Sequence, residues 1–436
     1  MTAEQALRGA IDKITADARM NAGIAAMVER RAEYPSADAM MLAGIAAVPE
    51  ARQALDDALG RYWELQSGNL PSSRTVGEVI IGSGPHAAIY AATRVRMGFP
   101  KPLVLERSER PGGSFAMSGA PSFFLNSGNR PGLVGLPSNG QALNVLPGAP
   151  IQPADVSMRE YQTNADIAFV TRVTLAMYAT VAQGVNVEAW RIDAQYPLAL
   201  DLADGRQVFA SRVIDARGLG DPRTVAENPR VMTFPQFAGT FDGTFPLRGM
   251  RRVAVVGGGD SAKCTVEGLL GIGPSSGMST AALDYVQTVD WYGNVERTCN
   301  EWLRVQRKRY ARIGAYLDTG RLNVRRTGRA TVVPSLDSVL VDGQSYDAVI
   351  TATGYTLPGI RQSGFDDYGT FSIGGSGFAV ARKANDAPVF RVGPAANLSF
   401  TDRENDDGVG NRPENRVALF RYAPRTATLA AGLPAA

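Results

Sequence analysis

The chain has 436 residues, a net charge of +3, 44% hydrophobic residues and 20% charged residues, values typical of an ordinary globular protein with two or three domains. No apolar run reaches the roughly 18 residues that span a bilayer, and the first residues mix charges into every turn, unlike a secretory signal. These two observations predict a cytoplasmic protein with no membrane partner. The net charge is small and the basic residues are spread along the chain apart from a cluster between Arg297 and Arg312, so no nucleic-acid partner is predicted.

Residues 1–70 are predicted to form an N-terminal helical extension. Apolar residues recur there at helical spacing, with breaks near Pro35 and Pro49, and a loop is predicted at 67–74. The extension is interpreted as a packed appendage or as a contact in a homo-oligomer, with a substrate lid as the alternative.

From Val76 onward, short buried strands alternate with helices, a pattern that predicts an α/β fold with parallel sheets. A strand-rich meander follows each of the two α/β stretches. This order predicts that one nucleotide-binding domain is inserted in another. The first would cover 76–246 and return at 351–436, and the inserted one would cover 247–350.

The first glycine-rich turn follows a predicted strand at Val79–Ile81. Gly82, Gly84 and Ala87 occupy the three small positions of a GxGxxG/A turn. The first small residue allows the tight turn, the second lets a diphosphate approach the backbone, and the third lets the helix pack against the strand. Helix N-terminal amides would then hold the phosphate charge, so we predict a dinucleotide site.

A carboxylate ends the next predicted strand: Glu106, 24 residues after Gly82. It can accept the hydroxyls of an adenosine ribose and would repel a 2′-phosphate, which predicts FAD or NAD here and not NADP. Gly112 and Gly113 follow, where the backbone must pass close to a ligand. His86 lies at the start of the helix, where it could hydrogen-bond phosphate or backbone or, alternatively, act in catalysis.

The second glycine-rich turn follows a strand at Val253–Val256, with Gly257, Gly259 and Ala262 at the small positions. The next strand ends near Gly293 without a terminal acid. Basic residues lie just beyond it: Arg297, Arg304, Arg307 and Lys308. This combination favours NADPH over NADH, although a solvated helix face would also be basic.

Five motifs occur in order between residues 76 and 400: "GSGPHA", "LERSERPGGSF", "VIDARG", "VVGGGDSA" and "AVITATGY". Together they resemble the two-dinucleotide-binding-domain flavoproteins, a superfamily that includes thioredoxin reductase, flavin-containing monooxygenases, Baeyer–Villiger monooxygenases and N-hydroxylating monooxygenases. The resemblance implies two Rossmann-like domains, the first binding FAD and the second NADPH.

The resemblance also implies a set of cofactor contacts. For FAD these are Gly82, Ser83, Gly84, Pro85, His86, Ala87, Glu106, Arg107, Gly113 and Ser114. For NADPH they are Gly257, Gly259, Asp260, Ser261, Ala262, Asn294 and Arg297, and the chain would return to the first domain at Ala352, Thr353 and Gly354. Two positions depart from the family pattern. Arg217 stands where threonine is usual, and Gly393 and Pro394 stand where an aspartate usually binds the flavin ribityl chain. Gly393 is still predicted to contact the cofactor.

Hydride would pass from the nicotinamide to the flavin, and the fate of the electrons separates three functions. Disulfide reduction needs a cysteine pair, but Cys264 and Cys299 are 35 positions apart, and with a single histidine no metal site is predicted. Monooxygenation needs O2 and a dry site that protects a flavin hydroperoxide. Electron export to a partner needs an exposed flavin edge.

The stretch from Ser118 to Thr163 is too long and too rich in glycine, proline and asparagine to be a simple connection. It follows the glycines of the first site, so it is predicted to border the flavin ring. The candidates for the substrate and oxygen side are Phe123 and Phe124 and, as catalytic residues, Asn126, Asn129 and Arg130. The alternative is that the phenylalanines belong to the core and the asparagines cap turns.

We therefore predict an FAD-dependent NADPH oxidoreductase, a monooxygenase that uses O2 on the nitrogen, sulfur or ketone group of a small molecule. One alternative is a flavoprotein reductase that passes electrons to a partner or a small acceptor. Another is a cofactor-binding redox sensor or scaffold without catalysis.

Overall fold

The structure is a computed structural model, and it describes most of the first 393 residues. These are 9, 11–14, 16, 37–70, 73–116, 124–128, 146, 148–156, 161–193, 195–196, 198–239, 249–271, 285–293, 312–326, 329–356, 361–363, 368–373, 378–383 and 389–393. Among the helices of these ranges, none combines the length and the apolar character needed to cross a bilayer.

Helices alternate with strands in two stretches of the chain, from Ser73 to Gln183 and from Val231 to Arg326. The helices are α1 Ala37–Ala47, α2 Pro49–Gly68, α3 Pro85–Arg96, α4 Pro153–Val156, α5 Asn164–Tyr178, α6 Phe234–Ala238, α7 Asp260–Leu270 and α8 Arg312–Asp318, with a 3-10 helix at Gly113–Ala116. Within the predicted N-terminal extension, α1 and α2 are described, and the extension as a whole stays a prediction.

The strands before the second glycine turn are β1 Ser73–Ile81, β2 Leu103–Glu106, β3 Phe124–Gly128, β4 Tyr161–Thr163, β5 Thr180–Gln183, β6 Val187–Arg191, β7 Leu198–Leu202, β8 Gln207–Asp215, β9 Asp221–Pro222 and β10 Val231–Thr233. Those that follow are β11 Arg252–Val256, β12 Thr288–Gly293, β13 Leu322–Arg326, β14 Val332–Pro334, β15 Val339–Val341, β16 Gln344–Tyr346, β17 Ala348–Thr351, β18 Tyr355–Thr356, β19 Arg361–Ser363, β20 Tyr368–Ile373, β21 Phe378–Lys383 and β22 Val389–Arg391.

The larger sheet has β1 at its centre, in the order β19-β6-β7-β8-β1-β2-β5. β1 pairs in parallel with β2 and β8, so that Ile80 lies opposite Val104 and Ile214. β22 also pairs in parallel with β8. The inner ends of these strands are continuous buried apolar runs, as expected of a sheet covered on both faces. β1 begins at Ser73, inside the predicted loop, and thereby extends the sheet toward α2.

The smaller sheet consists of five parallel strands in the order β10-β17-β11-β12-β13. Its strands fall in the sequence between β8 and β22 of the larger sheet. The larger sheet is mixed, because β6, β7 and β8 pair antiparallel, whereas the smaller sheet is parallel throughout. The predicted α/β class with one sheet inserted in the other is therefore confirmed. The predicted boundary at 246/247 stays a prediction. β10, which precedes that boundary, pairs with the smaller sheet.

A two-stranded antiparallel ribbon lies where the chain leaves the larger sheet and where it returns. β9 pairs with β18, so that Pro222 lies opposite Tyr355. The Arg223 amide donates to the Gly354 carbonyl at 3.0 Å, and the Arg223 side chain donates to the Tyr355 carbonyl at 3.2 Å. The two connections between the sheets thus hold each other.

A three-stranded meander, β14-β15-β16, covers the smaller sheet through a buried polar group. The carboxylate of Asp290, on β12, accepts hydrogen bonds from the Tyr346 hydroxyl at 2.6 Å and from the Asn323 amide at 2.8 Å. Arg325 pairs with the same carboxylate at 3.2 Å. Burial raises the pKa of Tyr346 well above its usual value, and the hydrogen bond to Asp290 raises it further. The tyrosine therefore stays a neutral donor.

Candidate cofactor sites

The first glycine turn lies where the carboxyl ends of β1, β2, β8 and β22 meet. Gly82 has a φ of +94°, and a Cβ there would lie 2.9 Å from the Ala216 carbonyl oxygen and 3.0 Å from the Arg217 Cα. Only glycine suits both the left-handed backbone and this close approach. Arg217, the departure from the family motif, is thus in backbone contact with the turn.

Gly84 caps the N-terminus of α3, with Pro85 at the first helical position and Ala87 fully buried in the next turn. Its φ of −75° suits any residue, and the nearest atom to a Cβ there would be the Gly113 Cα at 3.8 Å. Gly113 has a φ of +64°, and its own Cβ would lie 2.7 Å from the Gly84 Cα. Two glycine backbones therefore lie together at the helix N-terminus, where an anion is favoured.

Glu106 is buried at the end of β2, and each of its oxygens accepts two hydrogen bonds. Oε2 accepts from the Ser83 amide at 2.9 Å and from the Ser83 hydroxyl at 2.6 Å. Oε1 accepts from the Ser108 amide at 2.8 Å and from the Ser108 hydroxyl. The amides hold the carboxylate beside the turn, and the serine hydroxyls occupy positions that ligand hydroxyls could take. Sequence reasoning missed Ser108, which follows Glu106 by two residues.

Arg107 and Ser114 lie on either side of the loop at 108–113, which follows β2. The Arg107 guanidinium pairs with Asp221 of β9, and this hydrogen bond raises the pKa of Arg107. Arg107 therefore joins the first site to the ribbon between the sheets. Ser114 lies in the 3-10 helix directly after Gly113.

The structure brings Gly393 and His86 together although they are far apart in the sequence. A Cβ on Gly393, whose φ is +62°, would lie 2.5 Å from the His86 Cγ. The end of β22 thus lies on the first turn of α3. Burial lowers the pKa of His86 to about 4, because the imidazolium would be removed from water.

We predict that His86 makes the stability of the protein fall in mild acid. Its pKa is about 4 in the folded chain and about 6.5 in the unfolded chain. Unfolding therefore takes up a proton between these pH values. The stability that the neutral imidazole contributes is fully present above pH 6.5 and is lost as the pH falls toward 4. The shift corresponds to about 3 kcal/mol.

Because His86 is the chain's single histidine, its imidazole C2 proton can be followed alone by NMR. Urea unfolding at several pH values should show a smaller loss in acid for His86→Gln than for the parent. An imidazole that titrates near its usual pKa in the folded protein would contradict this prediction.

A buried acid with two arginines lies beside the first turn and was missed by sequence reasoning. Asp215, fully buried at the end of β8, pairs with Arg217 at 2.9 Å and with Arg391 at 3.3 Å. The carboxylate and the two guanidinium groups thus lie together at the carboxyl ends of β8 and β22. The sequence feature that could have pointed to this buried acid is Arg217, two residues after Asp215.

The second glycine turn is more tightly enclosed by backbone. A Cβ on Gly257, whose φ is +140°, would lie 2.2 Å from the Ala352 carbonyl oxygen. A Cβ on Gly293 would lie 2.9 Å from the Gly257 carbonyl oxygen, and the Trp291 indole donates to that oxygen at 2.7 Å. The ends of β11, β12 and β17 therefore converge on Gly257. Sequence reasoning missed Trp291.

Gly259 caps α7, and a Cβ there would meet no heavy atom of the described residues within 4 Å. Asp260 begins α7, and Ala262 is fully buried in the next turn. The Tyr355 side chain, from the ribbon, lies beside the Ser261 side chain, and burial raises the pKa of Tyr355. The return of the chain at 352–354 thus lies beside this turn.

Among the predicted catalytic residues, Asn126 lies on β3, which pairs with β4 and lies against α7. The side chain of Asn126 is outside the described part. Outside it altogether lie Phe123, Asn129, Arg130, Asn294, Arg297, Cys299, Arg304, Arg307, Lys308 and Pro394. These assignments stay predictions.

Two glycine turns thus lie at helix N-termini, where an anion is favoured. Each follows a strand that has a parallel neighbour on both sides, and a two-stranded ribbon connects the two sheets. This arrangement suits two dinucleotides.

No protein-family model matches the chain, and no curated protein matches its sequence. Solved structures do. The ornithine N-hydroxylase of Kutzneria sp. 744, with reduced FAD, NADP+ and L-ornithine, matches 80% of this chain and 99% of its own at 16% identity, with a TM-score of 0.53. The bacillithiol disulfide reductase of Staphylococcus aureus matches 82% and 99% at 13% identity, with a TM-score of 0.52.

A flavin-containing monooxygenase from Stenotrophomonas maltophilia matches 82% of this chain and 99% of its own at 19% identity, with a TM-score of 0.51. These likenesses span both sheets. They show that the chain shares the fold of these three proteins, so the predicted resemblance is confirmed at the level of the fold.

Proposed function

We propose that this chain is an FAD-containing, NADPH-dependent oxidoreductase, and that it is a monooxygenase acting on the nitrogen, sulfur or ketone group of a small molecule. The observation that carries the proposal is the pair of glycine turns, each with a cap glycine open to a ligand, on two sheets connected by one ribbon. A protein that bound one dinucleotide would need only one such turn.

The residues of the first turn fit FAD. The space beside Gly84 at the N-terminus of α3 suits a diphosphate. Glu106 would bind the adenosine ribose, whose hydroxyls would replace those of Ser83 and Ser108. When bound, FAD supplies the hydride acceptor and the reaction with O2.

The second turn fits a nicotinamide dinucleotide, with room for its diphosphate beside Gly259. The preference for NADPH over NADH is supported by the engagement of Asp290, the acid within β12. Its oxygens are taken by Tyr346, Asn323 and Arg325. A 2′-phosphate would therefore not meet a free carboxylate from this side chain.

Monooxygenation rather than disulfide reduction is supported by the cysteines. The sequence has only two, far apart, and Cys264 is 5% exposed on α7. The similar ornithine N-hydroxylase and flavin-containing monooxygenase support the same choice. The similar disulfide reductase supports the second candidate, a reductase that passes electrons to another acceptor.

The test is an absorption spectrum of the purified protein, followed by NADPH under anaerobic conditions. We expect flavin bands near 375 and 450 nm, and loss of the 450 nm band on addition of NADPH. Oxygen uptake with a panel of amines, sulfides and ketones should then exceed uptake without substrate. A protein that takes up no added FAD would refute the proposal, and NADPH oxidation coupled only to an artificial acceptor would favour the reductase.

A substitution in the second turn tests the assignment of NADPH. Gly259→Ala should leave FAD bound and the fold intact, because the position is open and its φ of −84° suits alanine. It should slow flavin reduction by NADPH at least about tenfold, since the methyl group occupies space that a diphosphate needs. Stopped-flow absorbance at 450 nm measures the rate, and equal rates in variant and parent would remove the assignment.

A further inference from the structure

The N-terminal helix α2 packs on α5 through two ion pairs that cross between the helices. Arg52 pairs with Asp166 at 2.7 Å. Asp56 accepts from both Nε and Nη2 of Arg172, at 2.6 and 2.5 Å. The Asp56–Arg172 pair is bidentate, and its side chains are only 23% and 11% exposed, so its geometry is well defined.

Arg172 also contacts the loop that lies against the first glycine turn. Its Nη1 donates to the Pro111 carbonyl at 3.3 Å and lies 3.5 Å from the position of a Cβ on Gly112. The Gly112 amide in turn donates to the Ser83 carbonyl at 3.2 Å and to the Ser83 hydroxyl at 3.1 Å. A continuous set of contacts thus runs from Asp56 to the turn.

The loop needs such support for a physical reason. Gly112 and Gly113 have φ values of +129° and +64°, conformations that glycine adopts freely but also leaves freely. α5 holds the loop at both ends. The side-chain amide of Asn164 donates to the Phe115 carbonyl at 3.1 Å, and Arg172 donates to the Pro111 carbonyl. The Arg172 guanidinium is itself oriented by Asp56.

We propose that Asp56 is a positioning residue for FAD, which acts through Arg172 to hold the Pro111–Gly113 loop against Gly84. The inference rests on the proposed function of the first turn. It assigns the N-terminal helix α2 a task in cofactor binding.

The first experiment compares two neighbouring aspartates of α2. Asp56→Asn removes the bidentate partner of Arg172, and we expect the Kd for FAD, measured by flavin fluorescence quenching on the apoprotein, to rise about tenfold. Asp57→Asn makes the same change in charge one residue away, where the side chain is exposed and, among the described residues, accepts a hydrogen bond from Gln53 of the same helix. Its Kd should stay within about twofold of the parent. Equal Kd values in Asp56→Asn and Asp57→Asn would overturn the proposal.

A charge exchange separates positioning from stability. Asp56→Arg combined with Arg172→Asp can re-form the ion pair, but residue 172 then has no donor for the Pro111 carbonyl. We expect the Tm of the apoprotein to return to within a few degrees of the parent, while the Kd for FAD stays about tenfold higher. A parent-like Kd in the exchanged protein would show that the pair acts through stability alone.

Hydrogen exchange of the apoprotein tests the contacts without any cofactor. The Gly112 amide should exchange about tenfold faster in Asp56→Asn than in Asp57→Asn. An unchanged rate would overturn the proposal. If the parent binds no FAD, the proposed function fails, and the exchange rates alone decide whether Asp56 holds the loop.

Discussion

Replacing Gly257 by alanine is expected to lower the free energy of unfolding by roughly 4 kcal/mol or more, a large part of the stability of an ordinary domain. The added Cβ would lie 2.2 Å from the Ala352 carbonyl oxygen, which belongs to the backbone after β17 and cannot rotate away. The φ of +140° adds strain. Relief would require β11 and β17 to separate, with loss of the hydrogen bond that the Ala352 amide donates to the Val256 carbonyl at 2.7 Å.

Two control variants divide this cost into its parts. Gly205 has a φ of +83°, and no heavy atom of the described residues lies within 4 Å of a Cβ, so Gly205→Ala measures the backbone strain, about 1 kcal/mol. Gly259→Ala adds no backbone strain and no close contact with the described part of the chain, and it should be near neutral. Urea unfolding followed by tryptophan fluorescence and circular dichroism gives all three values. A Gly257→Ala protein no less stable than Gly205→Ala would contradict the enclosed geometry of the second turn.

Replacing Gly84 by alanine should raise the Kd for FAD at least about hundredfold while the apoprotein keeps its stability. The φ of −75° suits alanine, and the nearest contact of a Cβ, the Gly113 Cα at 3.8 Å, is an ordinary van der Waals distance. The added methyl group therefore should not disturb the fold. It should block a diphosphate, because the diphosphate oxygens would have to reach the amides of α3 through the same space.

Gly82→Ala is the matching variant for this experiment, since its Cβ would lie 2.9 Å from the Ala216 carbonyl oxygen. It should lose stability with or without FAD, whereas Gly84→Ala should lose only the cofactor. Thermal unfolding of the apoproteins and a fluorescence titration with FAD distinguish the two. Full retention of yellow colour by Gly84→Ala would remove the assignment of the first site.

Many features of the fold could be predicted because they depend on short stretches of sequence. The two glycine turns needed only a buried strand, a small-residue spacing and a helix start. The positive φ of Gly82 and of Gly257 follows from the same local pattern. The parallel sheets follow from the alternation of strands and helices. Periodicity alone placed the start of β1 too late, because Ser73 and Arg74 pair with the distant Gln207 and Val208.

The environment of each site was decided by contacts between distant parts of the chain. Glu106 was found from its place at a strand end, but its four donors come from a turn 23 residues earlier and from Ser108. His86 meets Gly393 only because β22 pairs with β8, more than a hundred residues away in sequence.

The sequence by itself determined that this chain has two dinucleotide-type turns in an α/β fold, because backbone conformation and strand burial leave local patterns of small and apolar residues. Only the tertiary structure decided which side chains surround those turns. Asp215 with its two arginines and Asp56 with Arg172 are joined by strand pairing and helix packing, and no spacing in the sequence records such contacts.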